Sequence, residues 1–331
     1  MEAVQTSSGT RRCSPRFSVI VPCLNRHQEL KRALKSCLDQ DFEDFEVIVI
    51  DDGSSPPLET VVSSLRDVRI RLIRNEMPQG PSKARNAGMF AAEGQYLSFL
   101  DSDDWYLPNR LSLVDGLILA HHPDPSLIFH RQLRRLSDEL DPIVAPTRLP
   151  HPGERLDEYV WVCGNFVQTN AFIVRRDVAR AVGFDPSCIV YEDTKFFLEC
   201  WSASGSYVAI ADLLSTYNDL PSSTRLSRQE RGDKLVPITE FVRQSCSRRA
   251  WIAFQAYAAA DLPMWRHPVQ VLRALADGHS VGVSMARIVV YAMRSALGRK
   301  LADTAMHHAR VCLARMRKAP TAPIAVPGTA R

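Results

Sequence analysis

Apolar residues in the first third of the chain come in short continuous runs, and a polar cluster follows most of them. The clearest runs lie at 17–21, 45–50 and 96–100, and a further run of strand formers covers 69–75. Strands that are apolar on both sides are typical of parallel sheets that helices cover on both faces. The pattern therefore predicts an α/β fold built on a mostly parallel sheet flanked by helices.

Segments with helical spacing separate these runs. Asn25 followed by Gln28 has the spacing of a capping box, which predicts a helix that begins at Asn25. One face of this helix carries Leu30, Ala33, Leu34, Cys37 and Leu38. A second helix at 80–94 is rich in alanine and glycine and should pack closely on the sheet, and a third follows at 107–122.

The pattern changes twice further along the chain. Strand signals continue at Leu127–His130 and Ala171–Val174, and "YEDTKFFLECWSASG" predicts a turn that leads into a helix. From about residue 225 onward, helical patterns dominate. We therefore expect an α/β region followed by a helical region.

Three polar clusters, 22–25, 51–54 and 101–104, follow predicted strands. The carboxyl ends of parallel strands share one edge of a sheet, where ligands bind, so the clusters should converge on one crevice. Asp51 and Asp52 begin a turn, or one of them accepts a hydrogen bond from a base or a ribose.

The third cluster holds Asp101, Asp103 and Asp104 within four positions. Like charges at this spacing repel one another unless a cation lies among them. Two interpretations are open: an Asp-rich turn or helix cap, and a divalent cation that bridges carboxylates to a phosphate-bearing ligand.

Composition excludes several classes of protein. The 331 residues are 45% hydrophobic and 24% charged, as in a globular protein. The most apolar long stretch, 281–297, contains Arg287 and Arg294, so no membrane span is predicted, nor is a secretory signal peptide. Eight cysteines without a C-x-x-C pair and nine histidines without ligand spacing argue against zinc and disulfides. We expect most of the cysteines to be buried thiols in a reducing cytoplasm.

Charge is divided unevenly along the chain. Residues 1–220 hold 23 Lys and Arg against 31 Asp and Glu, whereas residues 221–331 hold 18 against 6. The segment 283–318 mixes aliphatic residues with eight cations, and Asp303 is its one acid. A basic amphipathic helix of this kind lies on an anionic membrane surface, or packs on the protein with its basic face in solvent. Nucleic-acid binding is disfavoured because aromatic residues are not interleaved with the cations.

The motifs together carry a resemblance that none of them carries alone. "FSVIVPCLN", "QDFEDFEVIVIDDGS", "GPSKARNAG" and "GQYLSFLDSDD" resemble, in order and spacing, the inverting nucleotide-sugar glycosyltransferases of family 2, which have the GT-A fold. The resemblance is tight over 16–115 and looser to about 225. It implies a catalytic domain at 16–225, with a nucleotide-binding half (16–115) and an acceptor half (116–225). A disordered lead-in (1–15), a basic helical region (226–318) and a disordered tail (319–331) would complete the chain.

The resemblance also implies roles for residues on the donor side. Pro22, Asn25 and Asp52 correspond to the floor of a uridine pocket, with Asp52 as the partner of the base. Lys83 and Arg85 correspond to residues near the nucleotide, although Arg85 could instead pin its helix against the acidic cluster.

Asp101 and Asp103 match the family's D-x-D motif. One of them would contact the ribose and the other a Mn²⁺ or Mg²⁺ ion on the diphosphate, and Asp104 could substitute for either.

On the acceptor side, Glu192 and Asp193 match the family's "ED" motif. Asp193 would be the catalytic base, and Glu192 would orient it or touch the acceptor. Two acids in the first turn of a helix are also favoured by the helix dipole alone. The segment 215–227 corresponds to a flexible loop that closes over the diphosphate, with Ser222, Ser223, Thr224 and Arg225 as candidate contacts.

The expected function is a cytoplasmic glycosyltransferase that moves one sugar from a UDP-linked donor, and the basic segment would give it a peripheral contact at the inner membrane face. The acceptor would be a hydroxyl of a glycan or lipid-linked acceptor in exopolysaccharide assembly. A processive synthase is not expected, because Q-x-x-R-W is missing. A nucleotidyltransferase and a catalytically degenerate binding module are the alternatives.

Overall fold

The computed structural model describes residues 14–220 and 232–298, together with 301, 302, 304–307 and 309. Its strands form one nine-stranded sheet, and their order across the sheet is β3-β2-β1-β4-β8-β6-β9-β5, with β7 paired to β6. In chain order the strands are β1 (Phe17–Cys23), β2 (Phe45–Asp51), β3 (Ile70–Arg74), β4 (Tyr96–Phe99), β5 (Trp105–Tyr106), β6 (Leu127–Arg135), β7 (Ile143–Ala145), β8 (Phe172–Arg175) and β9 (Val208–Asn218).

The sheet has a parallel half and a mixed half. β3, β2, β1 and β4 pair in parallel, as the continuous apolar runs predict. β8 then pairs antiparallel with both β4 and β6, and β9 pairs parallel with β6. The predicted α/β class is confirmed: pairing is wholly parallel in the first half of the sheet, and the second half combines the parallel pair β6–β9 with antiparallel pairs.

Eleven α-helices of the described residues flank this sheet. They are α1 (His27–Leu38), α2 (Glu59–Leu65), α3 (Pro81–Ala91), α4 (Arg110–Ala120), α5 (Leu156–Trp161), α6 (Arg176–Val182), α7 (Glu192–Ser204), α8 (Val236–Ser245), α9 (Arg248–Ala259), α10 (Pro268–Ser280) and α11 (Met285–Leu297). α3 packs closely on β1, since a Cβ atom at Gly88 would lie 2.4 Å from the Ile20 side chain.

The first helix corrects one prediction. α1 begins at His27, Arg26 holds its N-cap position, and no side chain caps it. Asn25 does not act as the cap, because its backbone is left-handed (φ 56°) and it belongs to the loop before the helix. The predicted apolar face is otherwise correct, with Leu30, Ala33, Leu34 and Cys37 buried.

Two apolar clusters lie on opposite faces of the sheet, because successive strand residues point to opposite sides. Val19 and Val21 belong to the cluster under α1 and α4, whereas Ile20 belongs to the other one. The second cluster also takes in Phe254 of α9 and Tyr291 of α11. The C-terminal helices therefore share the core of the α/β region. The predicted domain boundary at 225–226 lies outside the described residues and stays a prediction.

Part of the basic segment 283–318 lies within this packed region. Arg287 of α11 donates to the carbonyls of Val162 (2.6 Å) and Trp161 (3.1 Å), and Tyr291 is buried. For α11 the packed-helix interpretation is therefore correct. Within the described parts of the chain, no helix combines the length and the apolar character that crossing a membrane requires.

Candidate active site

The loops after β1 and β2 are joined at the edge of the sheet where the polar clusters were predicted to meet. The backbone N–H of Asn25 donates to Ser54 Oγ (2.9 Å), and the N–H of Ser55 donates to Asn25 Oδ1 (2.8 Å). Pro22, near the end of β1, is half-buried beside them. Asn25 thus ties together two of the three polar clusters.

The two aspartates of "IDDGS" hold the surrounding loops. Asp51 is fully buried and accepts from the N–H groups of Ser54 (2.8 Å) and Leu58 (3.2 Å). Asp52 is 4% exposed and accepts from the N–H groups of Gln79 (3.0 Å) and Gly80 (2.8 Å). Asn75 Nδ2 also donates to Asp52, at 2.8 Å. Asp52 therefore fixes the loop that leads into α3, and its predicted contact with a base stays a prediction.

Arg85 of α3 is the centre of the site. Its Nη2 donates to Asp101 Oδ1 (2.8 Å), and its Nη1 donates to Glu192 Oε1 (3.1 Å). The residue is 3% exposed, and its guanidinium lies 5.2 Å from the centre of the Phe184 ring. One buried cation thus joins the acid after β4 to the acid that begins α7, and that second acid lies 107 positions after Arg85 in the chain.

Asp193 completes a group of three acids around Arg85. We call Asp101, Glu192 and Asp193 the acid cluster. Asp193 Oδ1 accepts from the N–H of Thr194 (2.7 Å), and Thr169 Oγ1 lies 3.4 Å from Asp193 Oδ2. Glu192 and Asp193 therefore occupy the first turn of α7, as predicted, and face the acid after β4.

The electrostatics of the acid cluster favour a carboxyl group that keeps its proton near neutral pH. Burial raises the pKa of Glu192 to about 7, although Arg85 opposes the shift. Burial also raises the pKa of Asp193, and the charge of Asp101 adds to the rise. Burial lowers the pKa of Arg85, but Asp101 and Glu192 outweigh it and raise that pKa overall. Three acids that share one cation are a typical source of shifted pKa values at catalytic sites.

The remaining two aspartates of the D-x-D region differ sharply from each other. Asp103 pairs with Arg26 Nη1 at 2.9 Å, and its carbonyl accepts from Arg32 Nη2 at 2.7 Å. Asp104 is 1% exposed, and its two oxygens accept from Asn170 Nδ2 (2.9 Å) and from the N–H of Asn218 (2.8 Å). Asp104 therefore fastens the turn after β4 to the end of β9.

The sequence did not single out every residue of the site. Arg26, Arg32 and Asn170 were missed, because a lone polar residue in a loop or helix carries no signal of the strand end that it will meet. Lys83, which was singled out, is exposed on the first turn of α3, and its side chain makes no hydrogen bond or ion pair within the described residues. Ser222–Arg225 of the predicted closing loop lie outside the described residues, and Ser215–Asn218 are the last residues of β9.

The carboxylates suit a cation only if a ligand completes its coordination. Among the described residues, no group of three or more Asp, Glu, His or Cys side chains could enclose a metal ion. Asp101 and Asp103 keep 29% and 16% of their side-chain surface exposed. Mg²⁺ and Mn²⁺ typically take one or two carboxylates, with phosphate oxygens and water filling the other positions. The residues present fit such an ion.

The fold and this arrangement of acids define an α/β enzyme of the GT-A type. The model of the family Glycosyl transferase family 2 matches residues 18–177. An uncharacterized glycosyltransferase of Haemophilus influenzae is 30% identical over 188 residues, which are 56% of this chain and 72% of that protein. The chain belongs to glycosyltransferase family 2, and the predicted class of transferase is confirmed.

Two further relatives extend the comparison. The amylovoran biosynthesis glycosyltransferase AmsB of Erwinia amylovora is 29% identical over 280 residues, 81% of this chain and 88% of that protein. The GalNAc(5)-diNAcBac-PP-undecaprenol beta-1,3-glucosyltransferase of Campylobacter jejuni is 45% identical over 103 residues, 30% of this chain and 33% of that protein.

Solved structures resemble the chain in fold. TarS 1-349 of S. aureus in complex with UDP-GlcNAc is 18% identical, with a TM-score of 0.60 and coverage of 89% of this chain and 92% of that chain. The mannosyltransferase PcManGT of Pyrobaculum calidifontis in complex with GDP-Man and Mn²⁺ is also 18% identical, with a TM-score of 0.56 and coverage of 92% and 87%. At this level of identity the likeness is one of fold.

Proposed function

We propose that the protein is an inverting glycosyltransferase that moves a single sugar from a nucleotide diphosphate donor to an acceptor hydroxyl in the assembly of a polysaccharide or glycan. The observation that carries the proposal is the double ion pair of Arg85 with Asp101 and Glu192. It joins the strand ends where a nucleotide would bind to the helix start where an acceptor would be activated. The name of AmsB as an enzyme of amylovoran biosynthesis supports the polysaccharide context.

The donor is assigned as UDP-linked. Pro22, Asn25 and Asp52 would line the base pocket, and Lys83 is exposed at the start of α3, where a diphosphate would be attracted to a helix N-terminus. Asp101 would face the ribose. The complex of TarS with UDP-GlcNAc supports this choice. GDP-mannose is the second candidate donor, because the PcManGT complex contains it.

Asp193 is proposed as the catalytic base. It would take the proton of the acceptor hydroxyl as that oxygen attacks the anomeric carbon and the bond to the diphosphate breaks. A carboxylate whose pKa is raised by burial is a stronger base than an ordinary one. Glu192, which accepts from Arg85, would orient Asp193 or contact the acceptor.

Asp103 would hold a divalent cation, Mn²⁺ or Mg²⁺, together with the diphosphate, while Asp101 contacts the ribose. When bound, such an ion stabilises the negative charge that develops on the leaving diphosphate. Asp104 contributes indirectly, because its bonds to Asn170 and Asn218 fix the turn that carries the other two aspartates.

The acceptor is assigned as a glycan or a lipid-linked sugar. The name of the Campylobacter jejuni relative, which contains an undecaprenol-linked glycan, supports a lipid-linked acceptor. A cytoplasmic enzyme with a peripheral contact to an anionic membrane through the C-terminal region would fit such an acceptor.

A thermal-shift screen tests the donor and the cation together. UDP should raise the melting temperature only when Mn²⁺ or Mg²⁺ is present, and GDP serves as the comparison nucleotide. A shift by UDP that is equal with and without the cation would exclude Asp103 as a metal ligand.

Asp193→Asn tests the chemistry once a donor has been found in the screen. The variant should bind the donor as the wild type does, yet lose transfer by a factor of at least about 100, because an amide cannot take up the proton. Normal turnover in the variant would exclude Asp193 as the base.

A further inference from the structure

The residue that precedes the catalytic pair has an unfavourable backbone conformation. Tyr191 stands at the N-cap position of α7 with φ 64° and ψ 26°. This left-handed conformation is disfavoured for residues with a side chain and is routine only for glycine, because the Cβ atom crowds the backbone. Contacts outside the turn must therefore hold Tyr191, and the direction in which α7 presents Glu192 and Asp193 depends on them.

An aromatic group supplies those contacts. The Tyr191 ring stacks on Phe166 (centroids 5.9 Å apart) and meets Trp161 edge-on at 5.8 Å. It also meets Tyr257 of α9 edge-on at 5.6 Å, and the two tyrosine hydroxyls are hydrogen-bonded to each other. The carbonyl of Tyr191 accepts from the N–H of Lys195 at 2.9 Å, which closes the first turn of α7.

The same group extends into the C-terminal helices. Tyr257 meets Tyr291 of α11 edge-on at 5.5 Å, and the Tyr291 hydroxyl accepts from Arg287 Nη2 at 2.6 Å. The guanidinium of Arg287 is anchored in turn on the carbonyls of Trp161 and Val162. A chain of packed and hydrogen-bonded groups thus runs from α11 through α9 to the turn before Glu192.

We propose that Tyr257 is a positioning residue for the transfer reaction: its hydroxyl and ring hold Tyr191 in the left-handed conformation that directs Glu192 and Asp193 into the site. The inference rests on the proposed function for its catalytic consequence, whereas its structural part stands alone. The C-terminal helices are then part of the catalytic apparatus, since they carry the group that holds the base in place.

Tyr257→Phe is the first test, because it keeps the ring and removes only the hydroxyl. Amide hydrogen exchange in the peptide that spans residues 189–195 should become about tenfold faster, while the sheet strands keep their protection. Turnover with the donor from the screen should fall about tenfold at unchanged KM for the donor, because the base is displaced and the nucleotide pocket is not. The acidic limb of the profile of turnover against pH should shift as well, because it reports the protonation of the base.

Tyr96→Phe is the matched control. Tyr96 is also buried, and its hydroxyl donates to the carbonyl of Pro125 at 2.9 Å, at the end of β4 that is far from the acid cluster. This variant should lose stability with no change in exchange at 189–195, in kcat or in the pH profile. Equal effects of the two variants on all three measurements would overturn the proposal, since they would indicate general destabilisation.

The double variant Tyr191→Phe/Tyr257→Phe provides a second test of the proposal. If the two hydroxyls act through each other, the double variant should show the same exchange and turnover as either single variant. Additive effects would contradict the proposal. If no donor supports turnover, hydrogen exchange decides alone: unchanged exchange in Tyr257→Phe overturns the structural part, whereas faster exchange supports it even though the proposed function has failed.

Discussion

At the scale of single residues, position in the fold separates side chains that the sequence makes look alike. Asp101, Asp103 and Asp104 lie within four positions; Asp101 and Asp103 match the D-x-D motif, and Asp104 was expected to be able to substitute for either. Asp104 is 1% exposed, and both of its carboxylate oxygens accept hydrogen bonds from protein donors. Asp103 pairs with Arg26 and keeps part of its carboxylate exposed. Asp104 is therefore a structural carboxylate, and Asp103 is a candidate ligand.

This difference predicts opposite outcomes for two matched substitutions. Asp104→Asn places an amide N–H₂ against the donors of Asn170 or Asn218, so the free energy of unfolding should fall by about 1–3 kcal/mol. Asp103→Asn should leave that free energy nearly unchanged, because the ion pair with Arg26 is partly exposed, and should weaken Mn²⁺-dependent binding of UDP. Urea unfolding and titration calorimetry measure the two effects. A stable Asp104→Asn protein that no longer binds UDP with Mn²⁺ would reverse the assignment.

The sequence could supply the candidate residues but not their partners. Motif spacing singled out Asp101, Arg85 and Glu192 separately. The bridge that Arg85 makes between the other two depends on how α3 and α7 pack on the sheet, and no local pattern encodes that packing. The hydrogen bond between Asn170 and Asp104 could not be predicted for the same reason, because Asn170 precedes β8 and Asp104 follows β4.

At the scale of elements, two opposing influences act on the ionisation of the acids at the start of α7. A helix N-terminus stabilises negative charge, typically by 0.3–1 kcal/mol at exposed sites, whereas burial disfavours it. Burial is the larger influence here, since the pKa of Glu192 is raised to about 7. The first turn of α7 therefore costs stability whenever its acids are ionised.

The sign of the resulting pH dependence follows. Burial raises the pKa of Glu192 in the folded protein to about 7, whereas the ordinary pKa of the unfolded chain is 4.5. Between these limits the unfolded chain binds fewer protons, so the free energy of unfolding should fall as pH rises, by at most about 3 kcal/mol. The raised pKa of Asp193 acts in the same direction.

Glu192→Gln removes this titration, so its stability should depend less on pH and should exceed that of the wild type above pH 7. Glu199→Gln is the control, because Glu199 lies on the same helix and pairs with Lys195. Chemical unfolding from pH 5 to pH 8.5 measures all three proteins. A Glu192→Gln variant with the slope of the wild type would show that another group titrates.

Strands were predicted correctly where the apolar residues form a continuous run. They were missed where the strand conformation depends on pairing with a distant strand. β1, β2 and β4 are apolar on both sides and were predicted correctly. β9 was missed, because it carries exposed Asp212 and ends in the polar segment that was assigned to a loop. Its strand conformation comes from pairing with β6, in a register that shifts twice. β5, with two residues, is too short to leave any pattern.

At the scale of the whole molecule, the C-terminal region carries an exposed apolar surface that precedes the predicted membrane segment 283–318. Trp265, which precedes α10, is 71% exposed, and Val269 and Leu272 of α10 are 77% and 58% exposed, while Val271 and Leu275 of α10 are buried. Exposed Arg266, stacked on Trp265 at 4.5 Å, and exposed Arg273 flank these apolar side chains. An exposed tryptophan and aliphatic residues next to arginines are the composition of an interfacial membrane contact.

This surface predicts binding to anionic vesicles, since each cation near such a membrane contributes about 1 kcal/mol. Trp265→Ser/Leu272→Ser should weaken co-sedimentation with phosphatidylglycerol vesicles about tenfold or more, because each exposed apolar side chain that enters the interface contributes in proportion to its area. Pure phosphatidylcholine vesicles should bind neither protein well.

Phe90→Ser is the control, because Phe90 is 86% exposed on α3, outside the basic region. Deleting residues 283–331 is a poorer test, since it would remove Arg287 and Tyr291 from the packed core together with the tail. If Phe90→Ser weakened binding as much as the double variant, or if the double variant bound as the wild type does, α10 would not be the membrane contact.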